Sequence, residues 1–403
     1  MIRETAGARP FSVRAANLGL VLRTVCAAEE PPSRADVAAV TGTTRATAAR
    51  LVDDLVAAGL LDEVQRAPTA RRGRPATPLA PGSRYAALGL QVDATLLIAR
   101  VLDLRGRTVA EEMADGDFRG SEPGPTLARL SALAGRLVAG LPPDLRLVGA
   151  GLALPGIVDV TSGTLLRAPN LAWSDERPAE QLARSLPPGL VPVLGNEADL
   201  AARTVAESAP GRPGAHRDFL YLSGQIGIGG AAVLDGRVMA GSSGWAGEVG
   251  HVCVDPDGPA CRCGSTGCLE QYAGRDALLA AAGLPLGTAP AVLAQRATAG
   301  DPAALRALDT AAWALGVALA GALNVLDIPV VVLGGHLGEL GELLCPRVES
   351  HLTRRVLSAR WRRPTIAAAA NGPGAGATGA ALRALEGVLT DPAGWLDRQD
   401  ASA

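Results

Sequence analysis

The stretch "GWAGEVGHVCVDPDGPACRCGSTGCLEQYAG", Gly244–Gly274, holds four of the chain's six cysteines and one of its four histidines. His251, Cys261, Cys263 and Cys268 follow the spacing H-x9-C-x-C-x4-C. Three thiolates and an imidazole at such short separations suit a tetrahedral Zn2+ with all four positions filled. A closed site of this kind is structural, because no position is left for an activated water. Gly258, Gly264 and Gly267 permit the tight turns that wrap a knuckle round an ion. Cys253 lies two residues from His251 on an extended stretch, hence on the same face, which leaves it open as an alternative ligand. Cys26 and Cys345 stand alone and read as buried. Glu248 and Glu270 bracket the knuckle, and a carboxylate that accepts two hydroxyl hydrogen bonds suits a polyol.

Composition limits what such a site can serve. A chain of 403 residues exceeds one ordinary core, so two or three domains are expected. Hydrophobic residues make up 48% and aromatics only 3%, so Ala, Val and Leu must do most of the packing. All 38 basic residues are arginine, which excludes lysine chemistry. Residues 1–82 carry 11 Arg against 8 Asp and Glu, while the remainder carries 27 against 32. A basic head on an acidic body suggests two jobs. There is no apolar leader pattern at the start and no uncharged apolar run of transmembrane length. With six cysteines in 403 residues there is no disulfide scaffold. The expectation is a cytoplasmic, reducing location away from membranes, where clustered thiols bind metal.

In the head, "NLGLVLRTVCAAEE" places Leu18, Val21, Leu22 and Val25 at helical spacing. "PPSRADVAAVTG" follows, with Ser33 as N-cap and Gly42 as stop. "TTRATAARLVDDLVAAGLL" then buries Ala48, Leu51, Val52 and Leu55. Ala46, Thr47 and Arg50 face outward, with Thr44 and Arg45 at the helix start. Two helices joined by a Gly turn, the second with a small, polar, Arg-bearing face, make the helix-turn-helix pattern. Extended pieces at 60–64 and 76–79 flank "RRGRP", which reads as a β-wing. Arg50 suits guanine edges in the major groove, and Arg71, Arg72 and Arg74 suit a narrow minor groove. The winged helix-turn-helix therefore spans 1–82, with operator DNA as its partner. The plainer alternative is a solvated Arg linker on a protein-binding three-helix module.

From residue 83, apolar strand-like runs alternate with helical ones, which indicates an α/β architecture. "LRLVGAGLALPGIVD", "LVPVLGNEADLAARTVAE", "DFLYLSGQIGIGGAAVLDG" and "VVVLGGHLGEL" each place a turn after a buried strand. Open α/β sheets bind ligands at such strand ends. Two lobes enclosing a cleft are expected, the first about 83–200 and the second about 201–370. A C-terminal helix returns to the first lobe before residue 390, and a loose tail occupies 391–403. Asn170 in "APNLAW" and Asn196-Glu197 in "GNEAD" add polar groups at strand ends.

Together these motifs resemble the ROK family of repressors, uncharacterised frames and sugar kinases. The knuckle block is the most specific part, and the likeness covers nearly the whole chain. The resemblance implies a two-lobed, actin-like or hexokinase-like domain with a sugar-binding cleft. It implies that His251 both ligates zinc and faces the sugar, with Asn170, Asn196, Glu248 and Glu270 as hydroxyl partners. A winged-helix head marks the repressor branch.

Three departures bear on activity. The family's kinases open with D-x-G-G-T, where this chain has "QVDAT", so Gln91, Asp93 and Ala94 replace the loop Asp and both glycines. Their G-T-G-I-G-G-G loop appears as "QIGIGGA", with Ile226 at the hydroxyl position. Glu197 stands where the kinases have a catalytic Asp, and its extra methylene displaces the carboxylate. A displacement of about 1 Å can cost ~10²-fold in rate. The expected protein is thus a non-enzymatic, sugar-responsive transcriptional regulator, a repressor working as a dimer or tetramer. Its effector is a sugar or sugar phosphate, and Glu197 is a hydroxyl partner. The rival readings are an ATP-dependent sugar kinase with a DNA-binding head, and a regulator controlled by a protein partner.

Overall fold

The computed structural model describes residues 13–64, 77–369 and 372–400. Helix α1 (Val13–Ala27) buries Leu18, Val21, Leu22 and Val25 on one face. Helix α2 (Arg34–Thr41) opens on a reciprocal cap: the Ser33 hydroxyl accepts from the Asp36 amide and the Asp36 carboxylate accepts from the Ser33 amide. It stops at Gly42 in the left-handed region (φ 67°). Helix α3 (Arg45–Ala57) buries Ala48, Leu51, Val52 and Leu55. Strands β1 (Leu61–Glu63) and β2 (Leu79–Pro81) pair antiparallel and form the base of the wing. The second strand starts later than its sequence suggests. Pro78, which has no amide hydrogen, bridges to Ser33, and Leu79, the first residue of the ladder, turns its amide to the Pro32 carbonyl.

The first lobe is built on β3 (Tyr85–Val92), β4 (Leu96–Asp103), β5 (Thr108–Asp115), β6 (Arg146–Leu154) and β10 (Pro192–Asn196), in the order β10-β6-β3-β4-β5. Helix α4 (Pro123–Ala139) packs against β3, β4 and β5. A second, three-stranded sheet of β7 (Ile157–Asp159), β8 (Thr164–Ala168) and β9 (Trp173–Glu176) lies between β6 and the short helix α5 (Pro178–Ala183) in the chain. Helix α6 (Glu197–Ala206) leaves the end of β10 and packs on the five-stranded sheet of the second lobe, so the lobes meet along it.

After the short pair β11 (Glu207–Ala209) and β12 (Arg212–Pro213), the second lobe is built on β13 (Phe219–Gly224), β14 (Ile228–Leu234) and β15 (Arg237–Val238). It is completed by β16 (Val330–Gly334) and β17 (Thr365–Ala368), in the order β15-β14-β13-β16-β17. Its helices are α7 (Glu270–Ala273), α8 (Arg275–Ala281), α9 (Pro290–Thr298), α10 (Pro302–Leu326), α11 (Gly335–Glu339) and α12 (Gly341–Arg355). Among the described residues α10 is the one helix long and apolar enough to cross a membrane. Its Ala- and Leu-rich face is instead buried in the second lobe's core, against α7, α8 and α12.

The head is built into the first lobe, a joint the sequence reading did not address. Leu18, Leu22, Leu51 and Leu55 share one core with Tyr85, Leu102 and the Leu382, Leu385 and Val388 face of α13 (Ala375–Thr390), which packs on β3 and β6 of the first lobe. The Tyr85 hydroxyl donates to the Ala58 carbonyl at 3.0 Å, and Arg105 pairs with Asp62 at 2.6 Å. The segment expected to be a loose tail forms α14 (Pro392–Asp400). Trp395 in this helix stands edge-on to Tyr85 and closes the same joint. An aromatic and a leucine one residue apart supply enough apolar area to hold a helix that its polar composition hides.

Candidate functional site

Each lobe sheet ends at the cleft. Asn196 caps α6: its carbonyl oxygen accepts the amides of Ala198 and Asp199, and its Nδ2 donates to the Gly156 carbonyl at 2.8 Å. Part of its expected hydroxyl-binding capacity is therefore already engaged in holding the loop after β6. The cap sets Glu197 at the first turn of α6, 7% exposed. The Ser223 hydroxyl of β13 donates to its carboxyl oxygens, at 2.9 and 3.1 Å. Burial, and then the neighbouring Asp93, push the Glu197 pKa up to about 7. Burial also raises Asp93, against the attraction of Arg275.

Asn170, Asn196, Glu197, Glu248, His251 and Glu270 all line one cavity of about 350 Å³ between the lobes. Glu270, at the start of α7, accepts the Ile228 amide at 3.2 Å. It reaches the cavity because Gly227 has no side chain: a Cβ there would stand 1.9 Å from Glu270 Oε2 and 3.0 Å from Asn170 Nδ2. Burial, and secondarily Glu270, raise the pKa of Glu248, which lies 3.9 Å from His251 Nε2. The cavity thus gathers acceptors and donors from both lobes, a lining suited to a small polyhydroxylated ligand. Four further polar residues line it that the sequence did not single out: Arg167, Ser223, Gln225 and Arg262. The motif signal was weak at each, since Arg167 sits in an alternating strand and Ser223 in a buried one.

Behind the cavity, His251, Cys261, Cys263 and Cys268 bring one ligand atom each to within 4.8 Å of one another. This cluster could hold a metal ion. Cys261 Sγ lies 3.8 Å from His251 Nδ1, and Cys263 Sγ 3.7 Å from Cys268 Sγ. A tetrahedron with Zn–S bonds of about 2.3 Å has edges of about 3.8 Å, a separation that these two pairs match. His251 turns Nδ1 to the cluster and Nε2 toward Glu248, joining the two sites. Cys253 is exposed and outside the cluster, which removes it as a competitor. Gly267 (φ 63°) lets the knuckle close; a Cβ there would stand 1.6 Å from the Asp255 carbonyl oxygen. Cys26 is buried as expected, its thiol pushed up to about 12 by burial, while Cys345 is half-buried.

The motif that departs from D-x-G-G-T has its own internal partners. Gln91 Oε1 accepts the Ala377 amide at 2.9 Å and so occupies the N-terminal turn of α13. Asp93 and Ala94 are buried, and Ile226, 7% exposed, joins the first lobe's core.

On the head, Thr44 is the N-cap of α3; its hydroxyl oxygen accepts the Thr47 amide at 3.1 Å and pairs with the Thr47 hydroxyl at 2.8 Å. Both threonines therefore shape the helix start. Arg45 and Arg50 are exposed on α3 and have no carboxylate partner among the described residues, whereas Arg34 is tied to Asp53 and Glu63. Arg71, Arg72 and Arg74 lie outside the described residues.

Residues 88–386 match the model of the ROK family, and residues 19–73 that of the MarR family. The chain is 26% identical over 347 residues to the xylose repressor of Caldicellulosiruptor bescii, covering 82% of this chain and 85% of that one. It is 31% identical over 223 residues to a glucokinase of Halalkalibacterium halodurans, covering 51% and 66%. Its fold matches the crystal structure of a ROK family transcriptional regulator, a homologue of the Escherichia coli Mlc protein. There the TM-score is 0.76 and the identity 22%, over 97% of this chain and all of that one.

Proposed function

This chain belongs to the ROK family, and from that premise we propose that it is a sugar-responsive, DNA-binding transcriptional regulator, acting as a repressor. The observation that carries the reading is the continuous core joining the head to the first lobe. A ligand that draws the lobes together moves the head with the first lobe. In a dimer on a palindromic operator, that motion changes the spacing of the two α3 helices, which must match half-sites about one DNA turn apart. Arg50 and Arg45 read or clasp the DNA, and the wing arginines Arg71, Arg72 and Arg74 enter the minor groove.

In the cleft, Glu248, Glu270, Asn170 and His251 hold sugar hydroxyls, with Glu197 beneath them. Zn2+ is the ion that the donor set and its spacing favour for the His251 cluster. Its contribution is rigidity: it fixes the loop that carries Glu248, His251 and Glu270. A carboxyl near neutral pKa at 197 is able to take a proton. Phosphoryl transfer also needs a cradle for the phosphates. Three features count against one: the Gln91 carboxamide on α13, the buried Asp93 carboxyl, and the Ile226 side chain packed into the opposite lobe.

A coupled assay for ADP release over hexoses and pentoses, run beside sugar-dependent thermal shifts, tests the reading. Stabilisation by a sugar without ADP supports it, because a ligand bound only to the folded form raises stability by mass action. Saturable, sugar-dependent ADP release would establish the kinase reading instead.

A further inference from the structure

Hydroxyl recognition leaves two cations in the cavity without a task. Arg167 on β8 and Arg262 in the metal-binding knuckle both line it. Both are exposed, and neither has a hydrogen-bond or ion-pair partner among the described residues, although Glu248 and Glu270 line the same space. Their backbones are held while their guanidinium groups are free. Arg167 lies on the central strand of the three-stranded sheet, paired with Ile157 and Ser174. Arg262 sits between two cluster cysteines in a turn closed by Cys261 and Ser265 at 2.8 Å. One cation comes from each lobe.

A neutral sugar would leave both forks facing only water. A planar guanidinium fork matches the oxygens of a phosphate or carboxylate. The two glutamates would repel an anion beside them, so its partners are the cavity's two arginines.

We infer that the effector is an anionic sugar whose hydroxyls meet Glu248 and Glu270 and whose phosphate or carboxylate group is clamped between Arg167 and Arg262, drawing the two lobes together. This inference rests on the sugar-binding reading of the cleft and names the class of sugar.

The test is calorimetric titration of the zinc-loaded, full-length protein. The probes are glucose, xylose and mannose, their terminal phosphates, gluconate and xylonate, and inorganic phosphate alone. A phosphorylated or acid form should bind at least about tenfold more tightly than its parent sugar, and the two arms distinguish phosphate from carboxylate. Arg167→Gln and Arg262→Gln should each weaken the anion by about ten- to a hundredfold, the range of a charge-assisted hydrogen bond. Parent-sugar binding should stay within about threefold, because a neutral ligand does not use the clamp. Zinc content is measured for each variant; Arg167, remote in sequence from the cluster, keeps the test valid if Arg262→Gln loses metal. Parent sugars that bind as tightly as their anions, or anion affinity that survives both substitutions, would overturn the clamp and leave the sugar reading standing. An absence of saturable binding by every sugar would overturn the sugar reading itself, and the clamp with it.

Discussion

Glu197 links the cleft to a measurable pH dependence. Its carboxyl is buried, accepts from Ser223 and faces Asp93, and its pKa is pushed up from 4.5 to about 7. The folded protein therefore holds this proton more tightly than the unfolded chain does. The resulting stabilisation is full below pH ~4.5 and is lost as pH rises through ~7. Each tenfold gain in proton affinity is worth about 1.4 kcal/mol, so the ionised form costs about 3 kcal/mol on the alkaline side. Of this, about 1 kcal/mol appears between pH 6 and 8. Glutamine cannot ionise and still accepts from Ser223. Glu197→Gln should therefore gain on the wild type by about 1 kcal/mol as pH rises from 6 to 8. Urea unfolding of both zinc-loaded proteins at the two pH values measures this, and metal-ligand titration cancels in the difference. A stability difference that does not change with pH would refute the assignment of a buried proton on Glu197.

Other outcomes follow from separate parts of the molecule. The purified protein should contain one zinc per chain, and Cys268→Ser should lose it together with sugar-induced stabilisation, read by metal analysis and thermal shift. Arg50→Ala should weaken operator binding by roughly tenfold or more, the scale of one base-reading arginine, at unchanged melting temperature. Leu385→Ala, at a fully buried position in the joint, should cost about 2–5 kcal/mol. Because head and first lobe share that core, proteolysis should release the head faster in this variant; a head that stays equally resistant would contradict the joint.

Local patterns made much of this legible. The apolar spacing in α1 and α3, the Ser33 cap and the Gly42 stop are short-range signals, and they appear where the sequence put them. The cysteine cluster was equally readable, because four soft ligands within eighteen residues leave few alternatives. What stayed hidden was long-range. Nothing near Tyr85 announces that its hydroxyl reaches Ala58, or that Trp395 closes over its ring. Gln91 read as the loss of a phosphate loop, whereas its gain, a cap on a helix 286 residues away, needed the fold. Arg167 and Arg262 carried no motif, and only the cavity brings them to one ligand space.

The most direct test follows the anisotropy of a labelled DNA fragment from the region upstream of the protein's own coding sequence as sugars and sugar phosphates are added. The account predicts specific binding that one such ligand weakens saturably by at least about tenfold, with no ATP required, a coupling within the usual allosteric range. Binding no tighter than to random DNA, or specific binding that no sugar or sugar phosphate alters, would contradict it.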